Sequence, residues 1–529
     1  MKKFKYSFIA SALLGVSLVG CYDMNTEPLG STITADQKEA TINANPERIE
    51  ASVTAMTSIF YIFGNCLGES YHSDFGYPSI MLLTDSRGTD MVCEDIGYNW
   101  FTQPLTYEDI DNTYWATALY WRVCYKQLYT VNSLAKNIDP ETTDPSLQFY
   151  LAQAYAIRAF DYFTLAQMYQ HTYVGNENKP CVPIITDANM DAAGAEGCAR
   201  ATVAEVYEQI MSDLDGAIDL LEKTTVTRAD KRYVDAAVAY GLRARVNLVM
   251  NNWAEAAADA AKAIELTSAT PYTAAEISKP TMSDIDDASW MWGILVSETD
   301  RAVTSGICNW PSHMGSLNYG YASVGAWRCI SESLYGAIPA TDVRKGWFLD
   351  ENGVSPHLTA EQATYVAGAG CYPYTQVKFG TYNDVIYQDV NCNDIPLMRV
   401  EEMYLILAEA QAMAGDAATG AATLQSFVST YRDPAYVCNA TEPVRVQDAV
   451  WMQRRIELWG EGFSYFDLMR LNKGVDRRGA GFQEAYTFNI PAGDDALIYR
   501  LPKAEIEGNP LISDAQNNPA ATLPTPVTE

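Results

Sequence analysis

Residues 147–170 read LQFYLAQAYAIRAFDYFTLAQMYQ. Leu151, Tyr155, Ala159, Tyr162, Ala166 and Tyr169 recur at spacings of three and four, which predicts a helix with one apolar stripe. Alanines beside large tyrosines suit close helix–helix packing. Just before it, TYWATALYWRVCYKQLYTVNSLAKNI (113–138) repeats the pattern through Trp121, Tyr125, Leu128, Val131 and Leu134, and Asp139-Pro140 ends that helix. Working outward, TVAEVYEQIMSDLDGAIDLLEK (202–223) is a further helix. Two more helix–turn–helix units follow at 234–266, broken at Asn251-Asn252, and at 400–432, broken at Gly415-Asp416. A helix, a short turn and an alanine-rich helix make the pattern of tetratricopeptide repeats. The copies are unevenly spaced, so a regular solenoid is not expected. The pairs lie at about 113–170, 202–266 and 400–432.

Between them the character changes. Residues 61–103 and 300–390 show little helical period and are rich in Gly, Ser, Tyr and Trp, as in ICNWPSHMGSLNYGYASVGAWRC (307–329) and GYNWF (97–101). Long aperiodic stretches inside a compact domain tend to carry function. The expectation is a mostly α chain: one large domain over 35–529, a scaffold of tetratricopeptide-like helix pairs, long irregular ligand loops, and little β structure.

The formal net charge is −30. Such a surface has nothing to neutralise phosphates, which excludes nucleic acid as a partner, and it disfavours anionic lipid. Hydrophobic residues make up 48%, enough for a substantial core, and no internal segment is long and apolar enough to span a bilayer. The N-terminus has a positive start (Lys2, Lys3, Lys5) and an apolar run from Phe8 to Gly20, the length of a signal-peptide core. It ends in Leu18-Val19-Gly20-Cys21, which resembles the lipobox of bacterial lipoproteins. The resemblance implies a signal peptide over 1–20, lipidation of Cys21, and a tether over 21–34 that holds the protein to a membrane by its lipid alone. Ten further cysteines include no CxxC pair, so zinc ribbons and thioredoxin-like motifs are not expected.

The order and spacing of several segments resemble the SusD/RagB family of outer-membrane nutrient-binding lipoproteins of Bacteroidetes. They are AQAYAIRAFDYFTLAQMYQ (152–170), CVPIIT (181–186), RATVAEVYEQIMSDLDGAI (200–218), AAVAYGLRARVNLVMNNWAEA (236–256), DIPLMRVEEMYLILAEA (394–410), RRIELWGEGFSYFDLMRL (454–471) and LPKAEIEGNPLISDAQNNP (501–519). The chain departs from the family at Ser464, where an arginine is frequent, and near Met469, where another basic residue is. The resemblance implies a non-enzymatic cell-surface protein that captures a glycan and passes it to a SusC-like TonB-dependent transporter in the outer membrane. The RagB branch keeps the architecture and takes peptides instead. A surface scaffold using the repeats for protein contacts is a third reading.

Sugar rings offer apolar C–H faces and a rim of hydroxyls, so their sites combine stacked aromatics with amides or carboxylates in a largely preformed cleft. The ligand-binding candidates are Tyr71, His72 and Tyr77 in YHSDFGYP, which also holds Asp74; Tyr98, Asn99 and Trp100 in GYNWF; and Trp310, Asn318, Tyr319, Tyr321, Trp327 and Arg328. No catalytic residue and no cofactor is expected. Ser133-x-x-Lys136 matches a nucleophile tetrad without its usual partner motifs. The charged run Arg454, Arg455, Glu457, Glu461, Asp467 and Arg470 reads as an ion-paired structural network rather than a catalytic carboxylate pair. Asp389-x-Asn391-x-Asn393-Asp394 begins like an EF-hand loop but lacks its glycine, and Asp284, Asp286 and Asp287 cluster. A solvated loop is the expectation for both, and no metal site is assigned.

Overall fold

The computed structural model describes residues 50–528 except Asp95 and Asp389. The signal peptide, Cys21 and the tether read from the sequence lie outside the described residues, as does the first position of the EF-hand-like loop.

The helical scaffold is one continuous row. Its members are α1 (Trp115–Ala135), α2 (Pro145–Tyr169), α3 (Val203–Lys223), α4 (Ala236–Val249), α5 (Trp253–Leu266), α6 (Val400–Met413), α7 (Ala417–Tyr431) and α8 (Pro443–Glu457). Each packs on the next in that order. The starts are set locally. Asp144 caps α2 by accepting from the Ser146 and Leu147 amides, Thr202 and Glu205 form a capping box on α3, and Asp235 and Asp416 cap α4 and α7. The tight turns need left-handed backbone, which Asn251 (φ 60°) and Gly415 (φ 107°) supply.

One expectation is corrected. α2 does not present a single apolar stripe. From Leu151 to Gln170 only Tyr155 and Gln167 are partly exposed. The helix lies between α1 and α3 and is covered on its remaining faces by the loop-rich half, so nearly every position is core.

α5 and α6 are neighbours in the row although 133 residues (267–399) separate them. That long excursion is tied at its root by an antiparallel pairing of Trp290–Ile294 with Ile395–Arg399. Strands are few among the described residues, with four two-stranded ladders. One of the two shortest matters most for the site: Met91 pairs with Ile330 and Val92 with Cys329. This ladder draws the loop after residue 92 alongside the segment before residue 329.

A buried ion network joins the excursion to the row. Glu457 pairs with Arg432 (2.7 Å), Arg399 (3.1 Å) and Arg344 (3.2 Å), and Glu461 with Lys378 (2.6 Å) and Arg399 (2.8 Å). Asp342 and Glu401 complete it. Four cations face four carboxylates, so the network is neutral. Beside it Asp467 binds Arg454 and Arg470, both at 2.7 Å, and Arg455 reaches Asp90 at 2.5 Å. Ser464, at the position where the family often has arginine, donates to the same Asp90 (2.6 Å).

Asp85 sits close by and is not ion-paired. One carboxylate oxygen accepts from the Gly462 amide (3.0 Å) and the other has no partner. Burial, with Asp90 and Glu461 nearby, pushes its pKa up to about 8. The folded protein therefore holds a proton that the unfolded chain releases above its ordinary carboxylate pKa of about 4. A raised acid stabilises at low pH, and that contribution is lost as pH rises through about 8. Asp85→Asn keeps the acceptor for Gly462 and removes the titration. Urea unfolding is expected to show the variant more stable than the parent at pH 8 and a flatter stability profile between about pH 4 and 8.

Candidate functional site

The site is built where the ladder at 91–92 and 329–330 brings two loops together. Asn99 shapes the first. Its amide donates to the Glu94 carbonyl (3.2 Å), and its Oδ1 accepts from the Phe101 amide (3.0 Å) and from Arg328 Nη2 (3.1 Å). With Asn99 held inward, its neighbours face outward: Tyr98 is 55% exposed and Trp100 is half-buried. Arg328 is wholly buried, donates also to the His313 carbonyl (3.1 Å) and lies over the Phe101 ring.

The second loop adds Tyr321. Its amide donates to Ser312 Oγ (3.0 Å), and its ring stacks on the buried His313 at 4.5 Å and 15°. His313 in turn stacks on Phe75 at 5.6 Å. This internal column gives Tyr321 a rigid backing. His72 comes from a third segment. Its ring stacks on Trp100 at 4.9 Å and 23°, and its Nδ1 hydrogen-bonds the Tyr321 hydroxyl. Tyr98 lies 6.5 Å from Tyr321. The His72 segment is fixed from below by Asp74, whose Oδ2 accepts from the Cys66, Leu67 and Gly68 amides. Tyr71 extends the edge by packing against Trp115, 6.1 Å away.

The result is a preformed aromatic platform of the exposed Tyr98 and the half-buried His72 and Trp100, floored by the buried Tyr321, with Tyr71 and Trp115 beside it. Burial lowers the His72 pKa from its ordinary value and so disfavours the charged imidazolium. Stacked rings of this kind suit the C–H face of a neutral, hydroxyl-rich ligand.

The other candidates lie elsewhere. Trp310 is core, edge-on to Phe379 at 4.9 Å. Asn318 is buried and donates to Asn391 and Asn393. Trp327 is buried at the inner wall of a separate cleft of about 470 Å³, with Tyr372 and Tyr374. Tyr77 packs between Phe60 and Phe160 at the start of the Tyr77–Arg87 helix. None of these four belongs to the platform, and Asn99 and Arg328 support it from inside. Tyr319 is 38% exposed but faces Tyr387 (5.4 Å) instead of the platform. Trp115 and Tyr387 were not anticipated from sequence.

The remaining motifs have structural uses. Ser133 donates back to the Tyr129 carbonyl, and Lys136 pairs with Asp191. Asn391 donates to the Gly306 and Tyr319 carbonyls, Asp394 accepts from the Ile285 and Val296 amides, and Asp287 accepts from the Tyr272 hydroxyl. The ten cysteines of the described residues are all free thiols.

Comparison with known proteins agrees with this architecture. A family model described as starch-binding associating with outer membrane matches residues 77–248, and one described as SusD family matches 350–518. SusD-like protein P2 of Formosa agariphila is 24% identical over 96% of this chain and 98% of its own length. A SusD-like carbohydrate binding protein from Bacteroides vulgatus superposes with a TM-score of 0.75 at 22% identity, covering 89% of this chain and 98% of that one. A laminarin binding SusD-like protein gives a TM-score of 0.62 at 18% identity, covering 89% and 99%. With the helical row, its loop-rich excursion and two family models in register along one chain, this protein belongs to the SusD/RagB family.

Proposed function

We propose that this chain is a cell-surface glycan-binding lipoprotein. It is lipid-anchored through Cys21 at the outer membrane, and it captures a neutral oligo- or polysaccharide for a SusC-like TonB-dependent transporter. The observation that carries the reading is the platform itself: Tyr98 exposed and Trp100 and His72 half-buried, set against a buried column of Tyr321, His313 and Phe75. Rings kept at a surface by a buried support have no reason to be there for packing alone. Support also comes from the carboxylates of the 454–470 run. Burial alone would raise Glu457, Glu461 and Asp467, but their arginine and lysine partners outweigh it and hold all three below the ordinary range. Such groups cannot act as a general acid. A matching family model described as starch-binding and a structural neighbour described as laminarin binding support a glycan ligand. No helix among the described residues is long and apolar enough to cross a membrane.

The test is binding of the soluble chain to neutral polysaccharides at several ionic strengths. Stacking on an uncharged platform is little screened, so affinity is expected to change less than about twofold between low and high salt. A steep loss with salt would mean that the acidic surface, and not the rings, holds the ligand. Asn99→Ala provides a second check. It leaves every platform ring in place but frees the loop that aims Tyr98 and Trp100. Titration is expected to show weaker glycan binding by about tenfold, the equivalent of about 1.4 kcal/mol.

A further inference from the structure

Tyr387 is an outlier that the platform does not explain. It has left-handed backbone (φ 54°), as do Asn383 (φ 55°) and Asp384 (φ 57°) just before it. Asn and Asp tolerate that region, whereas a tyrosine there is strained. Burial does not offset the strain, because Tyr387 is 46% exposed. The conformation is imposed: the Tyr387 amide donates to the Leu317 carbonyl (2.8 Å), which fastens this loop to the turn before Tyr319. What the strained backbone achieves is a ring placed against another half-exposed ring. Tyr387 meets Tyr319 at 5.4 Å and 82°, with Tyr365 beside it at 5.5 Å. Val385, two residues before Tyr387, is 49% exposed. The exposed Asn383 and Asp384 precede Tyr387 on the same loop. Aromatic faces, apolar flanks and amide or carboxylate groups are the chemistry of a sugar subsite.

This second ring set is continuous with the first. Tyr319 and Tyr321 are separated by Gly320 alone, so their Cα atoms lie no more than about 7 Å apart. Gly320 cannot be replaced without moving the turn: its φ is 153°, and a Cβ there would lie 2.0 Å from Ser312 Oγ and 2.6 Å from Ser312 Cα. Asn391 holds the Tyr319 carbonyl (2.8 Å) and Ser312 holds the Tyr321 amide (3.0 Å). The two aromatic sets are thus carried at a fixed offset by one rigid turn.

We infer that Tyr319 and Tyr387 form a second aromatic subsite for the same glycan, and that the ligand is an extended chain bridging both ring sets across Gly320. This rests on the glycan reading above and adds to it a requirement for length. A sugar of one or two units covers one set. A longer chain engages both, and the second contact becomes intramolecular, which raises affinity without strengthening either contact.

The experiment is calorimetric titration of the soluble chain with ladders of starch-, laminarin-, xylan- and mannan-derived oligosaccharides, from disaccharide to decasaccharide. The wild type is expected to bind one ladder with affinity climbing about tenfold or more between the short and long members. Tyr387→Ala and Tyr319→Ala are expected to remove the climb and leave the shortest binding member within about twofold, while Tyr387→Phe keeps it. Tyr387→Gly relieves the backbone strain and deletes the ring. It is expected to melt higher than the wild type and still lose the climb, which separates ligand binding from misfolding. Affinity that does not rise with length, or a rise that survives both alanine variants, overturns the inference and leaves the platform reading intact. If no ladder binds the wild type at all, the glycan reading itself fails and the inference with it.

Discussion

Replacing Glu457 by alanine is expected to lower folding stability by about 3–5 kcal/mol. The residue is fully buried, and its two oxygens serve Arg432, Arg399 and Arg344. Burial alone would raise its pKa, yet the guanidinium groups hold it well below the ordinary range. Removing it leaves three buried cations facing the remaining carboxylates in a medium where an uncompensated charge is costly. The damage would not stay local. Arg344 belongs to the excursion between α5 and α6, Arg432 follows α7, and Glu457 ends α8, so one carboxylate ties the loop-rich half to the helical row. Equilibrium urea unfolding at pH 7 measures the effect, and a loss below about 1 kcal/mol would contradict it. The pH dependence has a definite sign. A depressed carboxyl contributes stability that is fully present above its unfolded pKa of about 4.3 and is lost as pH falls below that value. The variant should therefore differ most from the parent near neutrality and least in acid.

The second large effect falls on binding. Removing Tyr98 and Trp100 together is expected to weaken glycan affinity about 100-fold or more, with no comparable loss of stability. Aromatic residues at the centre of a contact typically cost about 2 kcal/mol each when truncated, and each 1.4 kcal/mol is tenfold. Tyr98 is more than half exposed, so its loss opens no core cavity. Trp100 stacks on His72, which keeps its hydrogen bond to Tyr321 in the variant. The opposite outcome is expected from Trp310→Ala. That ring is buried against Phe379, so the change should cost about 3–5 kcal/mol of stability by leaving a cavity. Titration calorimetry and thermal melts on the same samples separate the two classes.

The contrast shows what the sequence could and could not specify. The helices were legible because their signals are local: period, caps and breakers fall within a few residues of one another. α1, α2 and α3 begin and end within three residues of the positions read from the pattern. The full burial of α2 was not legible, since a helix enclosed on all faces has lost the polar side that defines a stripe. The 454–470 charges read as a network, but their main partners, Arg344, Lys378, Arg399 and Arg432, lie 25 or more residues from Glu457. No local rule pairs residues at that separation. The aromatic loops failed in a particular way. Tyr98 and Trp310 look alike in composition, both set among Asn, Gly, Tyr and Trp, and only tertiary contacts, the Asn99–Arg328 hydrogen bond beside Tyr98 and the Phe379 ring against Trp310, separate the exposed ring from the buried one. The one trace of Tyr387 in the sequence is the Asn383-Asp384 pair, residue types that accept left-handed backbone and so mark a tight turn.

The central claim is that a neutral glycan stacks on the Tyr98–Trp100–Tyr321–His72 platform. Affinity electrophoresis of the soluble chain, from about Asp23, through gels carrying single neutral polysaccharides tests it most directly. The account predicts retardation by at least one polysaccharide, abolished in the Tyr98→Ala/Trp100→Ala double variant while its melting curve is unchanged. Free migration through every polysaccharide, together with binding to a mixture of peptides, would contradict it and assign the chain a peptide ligand.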